Sequence, residues 1–198
     1  MGIYQTGGCH RIVFHINNVG YLPLLIVVVI HHLYMILFGL NGFKSKMSGI
    51  CAFFGHRDTI ITYALEEALE KNIKQLIEQG IDEFWCCDQG NFDWASRMVL
   101  LRLKKDYKHI HLCYICAYNP DKYSKTKLQD LDSKFEIIYP DEVSIGHPKF
   151  AITRRNKYIA QSADTIICYI ERNIGGAYNA IKSAKQNEKT IINLIGSA

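Results

Sequence analysis

From residue 48 onward the chain alternates short apolar runs with amphipathic stretches, the pattern of strand and helix units repeated around a mostly parallel sheet. Residues 50–54 read as the first strand. Leu65, Leu69, Ile73, Leu76 and Ile77 then recur at helical spacing, with Thr62 as the expected N-cap and Gly80 as the stop. Residues 84–87 form a second predicted strand. Asp93 is expected to cap a helix whose apolar face holds Ala95, Met98, Val99 and Leu103, and residues 110–117 form a third strand. The polar, charge-mixed stretch 119–134 predicts a surface excursion. Strand character resumes at 135–139, and Pro148 is expected to open a helix through Ala163. A strand at 165–170, a helix lined by Ala177, Ala180, Ile181 and Ala184, and a strand at 190–194 complete the series. The fold class this predicts is α/β, a three-layer, Rossmann-like domain over residues 48–194.

In an open parallel sheet, ligands sit beyond the carboxyl ends of the strands, so the loops that follow the strands are where chemistry is sought. Three stand out. Gly55-His56-Arg57-Asp58 follows the first strand, with a glycine for a tight turn, an imidazole donor and a guanidinium fork suited to phosphate or carboxylate. Asp88-Gln89-Gly90-Asn91-Phe92-Asp93 follows the second. There Asp93 is read first as a helix cap and second as a contact to a ribose hydroxyl or base. The third couples Arg154-Arg155-Asn156 with Gly175-Gly176-Ala177, where a glycine pair opening a helix lets backbone amides approach an anion at the positive end of the helix dipole. An inward-leaning Arg155 would need a partner, for which Asp164, Glu171 and a bound phosphate are the candidates.

Composition narrows the partners. The net charge of +4 is concentrated in residues 1–46, which hold Arg11, Lys44 and Lys46 and no acidic residue, so 20 basic side chains face 19 acidic ones in the remainder. A nearly neutral domain gives little support to binding nucleic acid through its phosphates. The seven cysteines fall mostly in predicted strands and read as buried free thiols of a reducing compartment. Cys113 and Cys116 share a spacing with redox and zinc motifs, but three residues apart in a strand they face opposite ways, so no metal site is expected. Residues 21–40 carry no formal charge and are long enough to cross a bilayer, with Lys44 and Lys46 after them. Two readings stay open for the 1–46 segment, a signal anchor that leaves the domain cytoplasmic and non-native sequence upstream of a start at Met47.

The three loops together resemble the SLOG superfamily, the Rossmann-like group of Smf/DprA and LOG-type proteins, and within it the YpsA/YoqJ-like bacterial and prophage proteins. The likeness is carried by residues 51–57, 90–93, 148–156, 164–169, 175–178 and 189–194 in that order. It implies a pocket for a nucleotide or nucleotide-derived molecule, built on Gly55, Gly90 and the Gly175-Gly176-Ala177 turn. His56, Arg57, Asn91, Asp93, Arg155 and Asn156 are its implied polar contacts. It also bears on catalysis. LOG-type enzymes are similar through an arginine matched by Arg155 and a Pro-Gly-Gly-x-Gly-Thr-x-x-Glu loop, but here Ile174 replaces the proline, Tyr178 and Asn179 the glycine and threonine, and Lys182 the catalytic glutamate. An ammonium cannot stabilise a developing oxocarbenium ion, which argues against phosphoribohydrolase activity by that route. Glu171 is the first substitute carboxylate and Asp93 the second.

The expectation is therefore a ligand-sensing domain that needs no further cofactor, with nucleotide N-glycosidic hydrolysis as the alternative and DprA-like single-stranded DNA binding as a third reading. A homo-oligomer is an open expectation, and a membrane partner is expected only if residues 21–40 are a true anchor.

Overall fold

The computed structural model describes residues 49–122 and 133–196. The anchor expectation for 21–40 and most of the polar excursion at 119–134 lie outside the described residues; among those described, no helix is long and apolar enough to cross a membrane.

Six strands form one parallel sheet in the order β4-β3-β2-β1-β5-β6, where β1 is Ile50–Gly55, β2 Glu83–Cys86, β3 His111–Ile115, β4 Glu136–Ile138, β5 Thr165–Tyr169 and β6 Thr190–Asn193. The chain builds outward from β1 on one side through β4, then crosses back to add β5 and β6 on the other. This reversal places a crevice between the carboxyl ends of β1 and β5.

The central strand is buried on both faces, as an all-parallel sheet requires. Cys51 and Phe53 point into one core with Phe84, Cys86, Leu112 and Tyr114, covered by helix α1 (Tyr63–Glu78) and helix α2 (Asn91–Leu103). Ala52 and Phe54 point into the other with Trp85, Cys87, Cys113 and Ile115. That second core is covered by α4 (Ala151–Ser162) and α5 (Gly175–Gln186), with the short α3 (Asp141–Ser144) packed on α4. The three layers follow from the period-2 alternation of strands that have no polar face. Cys113 and Cys116 do lie in opposite cores, and all six described cysteines are free and buried.

The ends of α1 are where the sequence placed them. Thr62 Oγ1 accepts from the Leu65 N–H at 3.1 Å. Gly80 takes φ +102°, its N–H donating to the Ile77 carbonyl while the Ile81 N–H donates to that of Leu76, the paired bonds of a Schellman turn.

Other boundaries differ. The N-cap of α2 is Gly90, and Asp93 sits inside the first turn. Because Phe92 is the inward residue of that turn, the buried stripe runs through Phe92, Ala95, Ser96, Val99, Leu100 and Leu103, and Met98 falls on the outer flank beside Trp94, 38% exposed. Pro148 opens a separate 3-10 turn, Pro148–Phe150, whose first amides are met by His147 Nδ1 accepting from the Lys149 N–H at 3.1 Å; α4 begins only at Ala151. Asp164 is not near Arg155: it lies at the opposite, amino end of β5, where its Oδ2 accepts from the Ile50 N–H at 2.8 Å.

Phe92 locks α2 onto the sheet edge by lying directly over Gly55, so that a Cβ there would meet the Phe92 Cβ at 2.4 Å. Gly55→Ala should therefore destabilise the domain by about 1–3 kcal/mol through overpacking, read as a lower urea midpoint at unchanged slope. Gly176→Ala, whose added Cβ meets only Asn156 Nδ2 at 3.6 Å, should cause no loss.

Candidate ligand site at the carboxyl edge of the sheet

A cavity of about 370 Å³ opens in the crevice between β1 and β5. Gly55, His56 and Arg57 line it from the β1 loop, and Asp93 from the first turn of α2. Arg155 and Asn156 line it from α4, and Gly175, Gly176 and Ala177 from the start of α5. These expected positions, drawn from four separate segments and both helical layers, meet on one surface. Gly90 and Asn91 do not line it. They fasten the scaffold: Gly90 has φ +148° and sits so close to Arg57 that a Cβ would lie 2.5 Å from the Arg57 Cα. Asn91 donates its backbone N–H to the Arg57 carbonyl at 3.1 Å and its side-chain amide to the Thr59 carbonyl at 3.0 Å.

Among the described residues, Arg155 is the largest of the fully buried side chains, 1% exposed. Helix α4 is pinned by Ile159, Ala160 and Ala163 in the core and by Tyr158, whose ring stacks on Trp85 at 5.6 Å. One turn earlier, Arg155 is carried inward beneath the crevice. Its Nη1 lies 3.5 Å from Asp88 Oδ1, and its Nη2 donates to Asn156 Oδ1 at 3.1 Å. The partner is thus Asp88, with Asp93 nearby, and neither Asp164 nor Glu171. Glu171 is exposed, accepts from the Tyr169 hydroxyl at 3.4 Å, and is outside the cavity lining.

The two aspartates of the second loop are in different electrostatic states. Burial pushes the Asp88 carboxyl up, but hydrogen bonds from Gln89 and Tyr114 and the charge of Arg155 outweigh it and hold the group below its ordinary range. Asp93, 7% exposed, is raised to about 6, chiefly by burial, which the Gln89 N–H and the Arg155 and Arg97 charges only partly offset. Its Oδ2 accepts from the Gln89 N–H at 2.7 Å. So Asp93 does meet a backbone amide, but that of the residue before the cap position.

Above this floor the mouth is held by Arg172, which the sequence reading passed over. Its backbone N–H donates to His56 Nε2 at 3.1 Å and its guanidinium pairs with Asp58, joining the β1 and β5 loops. Gln89, Ile152 and Ile174 were not among the expected contacts either, and all three line the cavity. The available signals were position alone: Arg172 and Ile174 lie between a strand end and a glycine pair, and Ile152 lies one helical turn before Arg155. No side chain caps α5, whose N-cap is Ile174, so its first amides face the cavity without a protein acceptor from that residue.

A model of the YspA SLOG family (YpsA) matches residues 39–196, which reaches ahead of the boundary expected at 48. The chain is also similar to UPF0398 protein BH1768 of Halalkalibacterium halodurans, 26% identical over 156 residues that cover 76% of this chain and 80% of that protein.

The raised Asp93 carries a stability signature. Between its ordinary 3.8 and about 6 the folded state holds the proton more tightly than the unfolded chain, so stability falls as pH rises through that window and is level above it. Asparagine has no such dependence. Relative to wild type, Asp93→Asn should gain about 2–3 kcal/mol between pH 4 and pH 7.5 in urea unfolding; an offset equal at both pH values would show that burial does not perturb this carboxyl.

Proposed function

We propose, from the premise that this chain belongs to the YspA SLOG family, that the cavity binds a nucleotide or nucleotide-derived small molecule and that the domain serves as a ligand-sensing module. The observation that carries the reading is the shared cavity itself. The uncapped start of α5 and the buried Arg155 arrive from different segments at the one crevice where the strand order reverses. Helix amides there suit a phosphate, and the volume of about 370 Å³ is on the scale of a single nucleotide more than of a dinucleotide. Arg57 and Arg172 add guanidinium donors at the mouth.

Sensing is favoured over turnover because the LOG-type acid is missing. Lys182 stands at that position, exposed on α5 and off the cavity lining. Hydrolysis of an N-glycosidic bond remains the second reading on one observation, the buried Asp93 on the cavity lining with its carboxyl raised toward neutrality, the environment in which an acid can hold a proton for transfer. Asp93 thereby displaces Glu171 as the first substitute carboxylate.

Calorimetric titration with the four ribonucleoside monophosphates should give saturable binding by at least one, with no free base released on chromatography. Gly176→Asp places a carboxylate in the first turn of α5, where it favours the helix and repels a phosphate. The variant should keep or raise its melting temperature and lose binding by more than tenfold. Unchanged affinity, or no binding by any of the four, would overturn the reading; base release abolished in Asp93→Asn would establish the hydrolase instead.

A further inference from the structure

The cavity has two chemically opposite ends. The α5 end offers donors: amides of Gly175, Gly176 and Ala177 that no side chain caps, with Arg57 and Arg172 beside them. The α2 end offers an acceptor. Among the described residues, the Gln89 N–H is the one hydrogen-bond donor to the Asp93 carboxylate and it takes Oδ2, while no buried side-chain oxygen is left without a partner. With Oδ2 taken, Oδ1 is the oxygen of this almost wholly buried residue left for a ligand in the cavity that Asp93 lines. Asp88, the acid that directly follows β2, cannot serve in the same way, because Arg155, Gln89 and Tyr114 already engage it.

Asp93 and Gly175 belong to helices on opposite faces of the sheet, so a ligand touching both spans the crevice edge. It needs an anionic group at one end and hydrogen-bond donors at the other. Resting on the nucleotide reading above, we infer that Asp93 is the specificity-determining acceptor for the ribose hydroxyls of the ligand, whose phosphate lies on the α5 amides. The site then selects ribonucleotides over analogues without the hydroxyls, since a ligand that lacks them leaves a desolvated carboxylate oxygen unmatched.

The charge state of Asp93 gives this selection a pH dependence. Facing Asp93 are Arg155 from α4, Arg97 from its own helix, Asp88, Cys86 and Cys87 from the end of β2, and His56 and Arg57 across the cavity from the β1 loop. Arg155 and Arg97 favour the ionised carboxylate, which burial opposes. A hydroxyl bonds more strongly to the carboxylate than to the neutral acid, so discrimination should weaken as the solution is acidified below about pH 6.

The test titrates wild type and Asp93→Asn with adenosine monophosphate and with its 2′,3′-dideoxy analogue. Both ligands carry the same phosphate, so its own titration cancels in the ratio of their affinities. Wild type should prefer the ribonucleotide by tenfold or more at pH 7.5. Asp93→Asn should shrink the ratio at least severalfold, mainly by binding the dideoxy analogue more tightly than wild type does, since no desolvated charge is then left unmatched; that binding also shows the variant is folded. In wild type alone the ratio should shrink on going from pH 7.5 to pH 5. A ratio near one in wild type, or a ratio that survives both the substitution and acidification, would overturn the inference and leave the nucleotide reading standing. Binding of neither ligand by wild type would overturn both.

Discussion

A guanidinium buried to 1% exposure is the constraint around which the carboxyl edge of the sheet is arranged. Taking Arg155 out of water is costly unless opposite charge and hydrogen-bond acceptors are within reach. Asp88 at 3.5 Å and Asn156 at 3.1 Å supply them, and the Asp93 carboxyl adds to the field. Asp88 comes from the β2 end, Asn156 from α4 and Asp93 from α2, so balancing one charge ties three segments to a common point. The two acids pay unequally for this: Asp88 is partly exposed and held below its ordinary range, whereas Asp93 is almost wholly buried and carries a raised carboxyl.

That arrangement requires α2 to sit very close to the sheet edge, and glycine makes the approach possible. Gly55 leaves room for the Phe92 side chain, and Gly90, at a φ of +148°, lets the α2 entry press against the Arg57 backbone. With Phe92 fixed, also stacked against Tyr169 at 6.4 Å, the next residue in the turn is carried to the crevice, and that residue is Asp93. Two of the glycines in the carboxyl-edge loops therefore act through packing. The third case differs: a Cβ at Gly175 would meet nothing within 4 Å, so its value lies in its φ of +92° and in the bare amides it leads.

Most of the fold was legible because its signals are local. The alternation of Cys51, Ala52, Phe53 and Phe54, the 65/69/73/76 spacing, Thr62 and Gly80 each need no knowledge of distant contacts, and each holds in the structure. The three loops could be placed on one edge because parallel strands send all their carboxyl ends the same way. What stayed hidden depends on which turn residue packs inward. Once Phe92 takes that role, Met98 turns outward and Asp93 moves from cap to floor, and nothing in the spacing of residues 91–103 distinguishes these cases beforehand. The partner of Arg155 was hidden for a similar reason. Asp164 is nine residues away in sequence but at the other end of a strand, while Asp88 is 67 residues away and adjacent in space.

Formal charge alone would not mark the cavity as an anion site. Its lining sets Arg57, Arg155 and Arg172 against Asp58 and Asp93, a small excess of positive charge. The distribution matters more than the total. Asp58 is paired with Arg172 at the mouth, Arg155 is spent on internal acceptors at the floor, and the raised Asp93 carries less negative charge as the solution approaches pH 6. The donors left over are Arg57, which among the described residues donates to Gln89 at 3.1 Å, the N–H groups of Arg172 that Asp58 does not take, and the opening amides of α5. The α5 amides among them are fixed by the backbone. A ligand held by them is positioned by geometry, and the protein retains Asp93 as the one group on that lining whose carboxyl burial has moved toward neutral pH.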